Sequence, residues 1–350
     1  MVVLLELLFR TFIPIGHHPF FEIQKEKGFV IGRYNHKNGS KGTKSIGVFG
    51  QINAKWRINN HGWSNEIDYK YIPEDSNIIR VAVIGDSYVE ALNLDYDKSF
   101  IALLNHQLKG KYEFYSFGIG GSPLSQYLHF CRYVDEMYHP DAFVFVMANN
   151  DIDESLAEFG DYRNLLLSPN DSGGFNEHHP EFFELPEDKL NNLAKRSAIS
   201  RYLYYNLQIS RIIRLLRIND KNKQAPQPVV NMKEIQSTDS TIQKVSEYIM
   251  EQIKTTTKAR QVIFIHDANR DFIYKNKPKD EKLAEVVEII QHNASKLDFK
   301  MIDLHPIFEE DYQINEKKFN YFADYHWNAY GHQIIADTLI EIITTDFKIE

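Results

Sequence analysis

Residues 81–90, VAVIGDSYVE, place four consecutive apolar side chains in front of a Gly-Asp-Ser corner. Apolar runs that do not alternate belong to strands covered on both faces, as in a parallel sheet held between helices. Gly85 permits the backbone to turn at the end of that strand. Ser87 then stands where open parallel sheets gather their reactive groups, beyond the carboxyl ends of the strands.

The same pattern recurs outward from this stretch. YEFYSFG (112–118), AFVFVMA (142–148), QVIFIHD (261–267) and FKMIDL (299–304) read as further buried strands. Helical spacing marks 97–110, 122–139, 280–297 and 328–345, with Ser122 as N-cap and Pro123 at the first helical position of the second of these. This alternation predicts a three-layer α/β/α sandwich of flavodoxin-like type with a central parallel sheet, spanning residues 79–350. Residues 1–78 form an extension, with turn signals at NHKNGSKG (35–42) and INNHGW (58–63) between short β-like runs. Residues 152–258 read as a mostly helical insertion or lid, because a connection of that length inside a compact domain is seldom structureless. It holds an acidic loop (170–188), an amphipathic helix near 187–217 and a polar linker (219–230).

The chain has 350 residues, 43% of them hydrophobic, and a formal net charge of −8, which argues against a nucleic-acid partner because phosphate backbones are held by excess Lys and Arg. The single cysteine, Cys131, excludes an intrachain disulfide framework. The N-terminus, MVVLLELLFRTFIPIG, is apolar but interrupted by Glu6 and Arg10 and stopped by Pro14. It has neither the basic start of a signal peptide nor the length of a spanning helix. A short amphipathic helix packed on the protein is expected there, with peripheral membrane association as the alternative. The placement expected is accordingly cytoplasmic or membrane-associated. Nothing in the sequence fixes an oligomeric state.

Three further stretches bring chemistry to the crevice. GIGGS (118–122) supplies backbone N–H groups unshielded by side chains, ANND (148–151) a side-chain amide, and ADYHWNAYGH (323–332) an acid and an imidazole just before the last helix. Acyl transfer needs that set. A serine hydroxyl must give its proton to a base, the base is a histidine whose other ring nitrogen is held by an acid, and the oxyanion needs preorganised donors.

Gly85-Asp86-Ser87, GIGGS and ANND, followed by the C-terminal histidine block, resemble the motif blocks of the SGNH, or GDSL-type, hydrolases. The upstream INNHGWSNEIDY is similar to the lead-in of many bacterial members. The resemblance covers about 79–151 and 261–345. It implies Ser87 as nucleophile, His326 as base and Asp324 as orienting acid. The oxyanion donors would be the Ser87 and Gly121 amides and the Asn150 side chain, with Gly120 the neighbouring alternative. Asp86, Gly120, His266 and Trp327 are expected to border the pocket, and the chemistry calls for no metal and no organic cofactor. Two positions depart from the family pattern: Ala148 replaces the third block's glycine, and the acid lies two residues before the histidine rather than three, where Ala323 stands. The Asp-x-His-Trp form looks like that of alginate O-acetyltransferase relatives.

Bland readings stand beside these. Ser87 could cap a helix, Asp324 or Asn328 could cap the last one, and Asn150, Gly120 and Gly121 could serve turns. Asp151 and Asp267 read as structural, and His332 as packing or capping. His178 and His179, with Glu177 and Glu181, read as solvated rather than metal-binding, and Arg201, Arg211, Arg214 and Arg217 as a solvated face. The function expected is a serine esterase cleaving an ester, an O-acetyl group on a carbohydrate, through an acyl-enzyme. A polysaccharide O-acetyltransferase and a catalytically silent glycan-binding protein are the alternatives. The partner expected is an acylated small molecule or glycan.

Overall fold

In a computed structural model, residues 79–85 form a fully buried strand whose alternate side chains enter two different cores. Val81 and Val83 join one, Ala82 and Ile84 the other. The structure describes residues 2–16, 18–36, 41–47, 50–73, 75, 77–182, 197–207, 237–278, 280–322 and 324–346. Most of the helix expected near 187–217, the polar linker, and Arg211, Arg214 and Arg217 lie outside those residues.

In chain order the strands are β1 (Phe21–Glu26), β2 (Phe29–Tyr34), β3 (Lys41–Ile46), β4 (Ile52–Arg57), β5 (Ile79–Gly85), β6 (Tyr112–Gly118), β7 (Ala142–Met147), β8 (Leu166–Pro169), β9 (Phe175–His178), β10 (Gln261–His266), β11 (Lys300–Asp303), β12 (Asn320–Tyr321) and β13 (Asp324–Trp327). The helices are α1 (Val2–Phe12), α2 (Ser87–Glu90), α3 (Phe100–Gln107), α4 (Leu124–Tyr138), α5 (Ala198–Arg201), α6 (Asp239–Thr256), α7 (Arg270–Tyr274), α8 (Glu281–Lys296), α9 (Leu304–Asn315) and α10 (Ala329–Asp346).

Five parallel strands make the central sheet in the order β11-β10-β7-β5-β6. Counted along the chain this is the flavodoxin-like 2-1-3-4-5 order, whose switch point falls between β5 and β7. One face carries α4, α6 and α8; the other carries α3, α9 and α10. Helix α6 puts Ile242, Val245, Ile249 and Ile253 into the core beside Phe143 and Phe264, so this part of the 152–258 stretch is a layer of the sandwich rather than a cover over it.

The extension forms two antiparallel hairpins, β1–β2 and β3–β4. Ile31, Tyr34, Trp56, Ile58, Trp63 and Tyr69 share a core with the sheet and α4. Its loop also blunts the β6 edge: Tyr69 donates its hydroxyl to the Ser116 carbonyl at 2.8 Å, and Asn65 donates to the Phe114 carbonyl at 3.1 Å. These side chains take bonds that a further strand would otherwise make. Helix α1 keeps Leu4, Leu7 and Phe12 exposed, while Glu6 accepts from the Ala198 amide and the Ser197 hydroxyl at the start of α5. No described helix is long and apolar enough to cross a membrane.

Ser122 does not cap α4. Pro123 occupies the cap position. The first amides of the helix are instead satisfied from the loop after β7, Leu124 N–H by the Asp151 carbonyl at 3.1 Å and Ser125 N–H by Ser155 Oγ at 2.9 Å. Because proline offers no side-chain acceptor, the neighbouring loop supplies what a Ser cap would have given.

Candidate active site

The site begins with a steric allowance. Gly85 and Gly118 are register partners at the ends of β5 and β6. A Cβ on Gly118 would sit 2.4 Å from the Glu90 nitrogen, and one on Gly85 would sit 2.5 Å from a Val89 methyl. Two glycines side by side therefore let α2 settle directly on the strand ends. Asp86 caps that short helix through the Tyr88 amide, 2.9 Å away. Ser87 follows as its first residue, so its own N–H has no partner within the helix.

Ser87 Oγ lies 2.8 Å from His326 Nε2. Asp324 accepts from the backbone N–H of His326 at 3.1 Å and also from its Nδ1. With the Nδ1 proton held by Asp324, Nε2 remains the acceptor for the Ser87 hydroxyl. The expected loop around these residues is in fact β13, paired with β12. The pairing holds Asp324 and Trp327, the residues that bracket Tyr325 and His326, against Tyr321 and Asn320, giving the imidazole a firmer mount than an open loop. Asn328, not Asp324, caps α10, accepting from the amides of Tyr330 at 2.9 Å and Gly331 at 3.0 Å. Burial pushes the Asp324 carboxyl up, but hydrogen bonding to His326 and the charges of His326 and Lys44 outweigh it and hold it below the usual range.

Four residues in this region, Asn93, Arg270, Glu90 and Lys44, carry no motif signal. Asn93 donates its amide to the second oxygen of Asp324, so both carboxylate oxygens are engaged. Arg270, fully buried, donates to Asp267 at 2.7 Å, to the Tyr88 hydroxyl at 2.8 Å and to the Tyr325 carbonyl at 2.8 Å. Asp267 also accepts from Trp327 Nε1 at 2.9 Å. The residues on both sides of His326 are thus bolted to the end of β10. Trp327 and His266 are each 1% exposed and packed inside, rather than bordering a pocket. His332 is buried too, its Nδ1 accepting from the Phe100 amide at 3.2 Å; burial and the charge of His326 bring its pKa down to about 3.

On the other flank, Glu90 accepts from the Tyr34 hydroxyl and from the Gly120 amide, the latter at 3.0 Å. Gly120 N–H is therefore committed. Gly121, exposed and at φ +79°, carries an N–H with no hydrogen bond among the described residues, as does the Asn150 side chain. Since β5 lies between β6 and β7, the loops bearing Gly121 and Asn150 rise on either side of Ser87. Burial raises the Glu90 carboxyl, against the hydrogen bonds from Tyr34 and Gly120. Burial likewise raises Asp86 to about 6, against the Tyr88 amide and the charge of His326. Asp151 is raised by burial and by the charge of Asp86, while it accepts from Tyr127 at 2.8 Å and Ala148 N–H at 2.7 Å.

Lys44 reaches this region from β3. Its register partner Ala54 is 3% exposed, so the pair faces inward. Burial lowers its pKa, opposed by the charges of Glu90 and Asp324. His178 and His179 stand apart, hydrogen-bonded to Ser168 at 2.7 Å and paired with Glu177 at 3.2 Å.

No protein-family model matches the chain, and neither does any curated protein sequence. Among solved structures it is similar to a lipolytic protein of the G-D-S-L family from Veillonella parvula DSM 2008, at 13% identity and TM-score 0.43, over 76% of this chain and 99% of that one. It is also similar to an acetyl xylan esterase, at 15% identity and TM-score 0.43, over 76% of this chain and 100% of that one. A third is a two-domain esterase active on acetylated mannans, at 10% identity and TM-score 0.40, over 76% of this chain and 49% of that one. In its own strand order the chain has the architecture of a flavodoxin-like three-layer α/β/α sandwich.

Proposed function

We propose that the chain is a serine esterase that cleaves an O-acetyl group from a carbohydrate through an acyl-enzyme. The observation that carries this reading is the 2.8 Å contact between Ser87 Oγ and an imidazole whose other nitrogen is held by a carboxylate. In the first half-reaction His326 Nε2 takes the Ser87 proton as Oγ attacks the ester carbonyl. The tetrahedral oxyanion is met by the amides of Ser87 and Gly121 and by the Asn150 side chain. His326 then protonates the leaving alkoxide, freeing the alcohol and leaving acyl-Ser87. In the second half-reaction His326 deprotonates water, which releases the acid and restores the serine. Each oxyanion donor is worth roughly 3 kcal/mol to such a step.

A fluorophosphonate probe tests the mechanism before the natural ester is known. The adduct is expected on Ser87 by mass spectrometry and is expected to vanish in Ser87→Ala. In His326→Ala, labelling and p-nitrophenyl acetate hydrolysis should fall by about a thousandfold or more. Labelling elsewhere, or unchanged hydrolysis by Ser87→Ala, would overturn the reading.

A further inference from the structure

A cavity of about 670 Å³ opens beside the glycine loop, with Gly120 and Gly121 in its wall and Glu90 at its base. A Cβ built on Gly120 would lie 3.5 Å from the Ser87 Cβ, so this wall stands against the nucleophile. The rest of the lining comes from two distant parts of the chain. The first hairpin contributes Phe21 and Tyr34, and the loop after β7 contributes Glu154, Phe159 and Arg163. That loop is tied to the glycine loop by Asn164 Nδ2, which donates to the Gly121 carbonyl at 3.1 Å. Ser122, also in the wall, is 1% exposed, and its hydroxyl has no hydrogen-bond partner among the described residues.

We infer that this cavity is the seat of the sugar ring bearing the scissile ester, an assignment that rests on the esterase reading above. Aromatic faces accept the C–H faces of a pyranose, while carboxylates and a guanidinium in the same wall answer hydroxyls that both donate and accept. A fatty acyl chain fits this lining poorly. It would strip water from Glu154 and from the Asp161–Arg163 pair, joined by a hydrogen bond of 2.9 Å, and give no hydrogen bond back. With the ring so assigned, its acetylated hydroxyl is directed past Gly120 toward Ser87. Tyr34 and Glu90 both line the cavity, and Glu90, which accepts the Tyr34 hydroxyl, also accepts the Gly120 amide, so the wall that holds the sugar also holds the oxyanion loop.

The test compares O-acetylated xylotriose and O-acetylated mannotriose with p-nitrophenyl acetate and p-nitrophenyl octanoate, for the wild type, Phe159→Ala and Arg163→Ala. Both side chains are well exposed, so the variants should fold. The wild type is expected to deacetylate at least one trisaccharide. In each variant the ratio of kcat/KM on that trisaccharide to kcat/KM on p-nitrophenyl acetate should fall at least tenfold, mainly through KM. An unchanged ratio, or a preference for the octanoate that Phe159→Ala removes, overturns the assignment. Hydrolysis of p-nitrophenyl acetate but of neither trisaccharide overturns the sugar seat alone. Absence of both hydrolysis and fluorophosphonate labelling would overturn the esterase reading itself.

Discussion

The two flanks of Ser87 are built on opposite principles. On the histidine side the imidazole is backed by Asp324, Asn93 and a short strand pair, and behind these stands the buried Asp267–Arg270 pair. On the glycine side Gly120 and Gly121 are exposed, and the loop is steadied by a carboxylate held from the extension and by Asn164. A proton passed between Oγ and Nε2 tolerates little misplacement, since hydrogen bonds weaken steeply with distance and angle. In the proposed reaction the glycine side meets an oxyanion and also admits a bulky alcohol, and backbone amides on small residues serve both ends. On the proposed esterase reading, rigidity is concentrated where the proton moves and openness is kept where the substrate enters.

The largest effect on this contrast is expected from Arg270→Met. Removing the cation leaves Asp267 as an uncompensated buried charge and frees the Tyr325 carbonyl beside His326. Stability should drop by about 3–5 kcal/mol, as for other buried pairs that lose one partner. Urea unfolding measures it, and the double variant Asp267→Asn/Arg270→Met should recover part of the loss, because no charge is then stranded. If Arg270→Met unfolds at the wild-type midpoint, the histidine flank does not owe its rigidity to this pair.

Much of the fold was legible because the sheet announces itself. Runs such as VAVIG and AFVFVM exclude alternation, and their order along the chain already implied the parallel sandwich. Ser87 and His326 were legible because family blocks and acyl-transfer chemistry ask for the same residues. The supports were not. Asn93, Glu90, Arg270 and Lys44 are single polar residues with no diagnostic spacing, and Asn93, for one, meets Asp324 across 231 positions of chain. Two helices also escaped the sequence reading. Helix α9 carries Pro306, which argues against a helix unless it falls in the first turn, where its missing N–H costs nothing. Helix α6 has a readable stripe at Ile242, Val245, Ile249 and Ile253, but it follows a polar linker and so reads as part of the 152–258 insertion.

A smaller effect, and one that sets the nucleophile's turn apart from both flanks, concerns pH. Asp86 holds its proton up to about pH 6 in the folded chain, against a usual value of 3.8, because burial disfavours its charge. Between those values the folded state binds more protons than the unfolded one, so stability falls as pH rises through the window and levels off above it. Asp86→Asn keeps a good N-cap for α2 and removes the titration. The stability difference between Asp86→Asn and wild type should therefore grow by about 2 kcal/mol from pH 4 to pH 6. Parallel curves for the two proteins in urea titrations across that range would mean that Asp86 is not the buried acid described.

The smallest expected effect bears most directly on the open flank. Tyr34 donates its hydroxyl to Glu90, and Glu90 in turn accepts the Gly120 amide, so the extension acts on the oxyanion loop through one carboxylate. Tyr34→Phe keeps the aromatic wall of the cavity and deletes only the donor. A buried hydrogen bond to a charged or partly charged acceptor is worth about 1–3 kcal/mol. Part of that loss should appear as a severalfold drop in kcat on p-nitrophenyl acetate, a substrate too small to need the sugar seat. Glu90→Gln supplies the control: it keeps an acceptor for Gly120 N–H while removing the charge, and should shift the pH dependence of kcat, whereas Tyr34→Phe should mainly lower its plateau. If Tyr34→Phe changes only KM for the sugar ester and leaves kcat on the small ester untouched, the hairpin walls the cavity without steadying the loop. The asymmetry between the two flanks would then be greater than the hydrogen bonds imply.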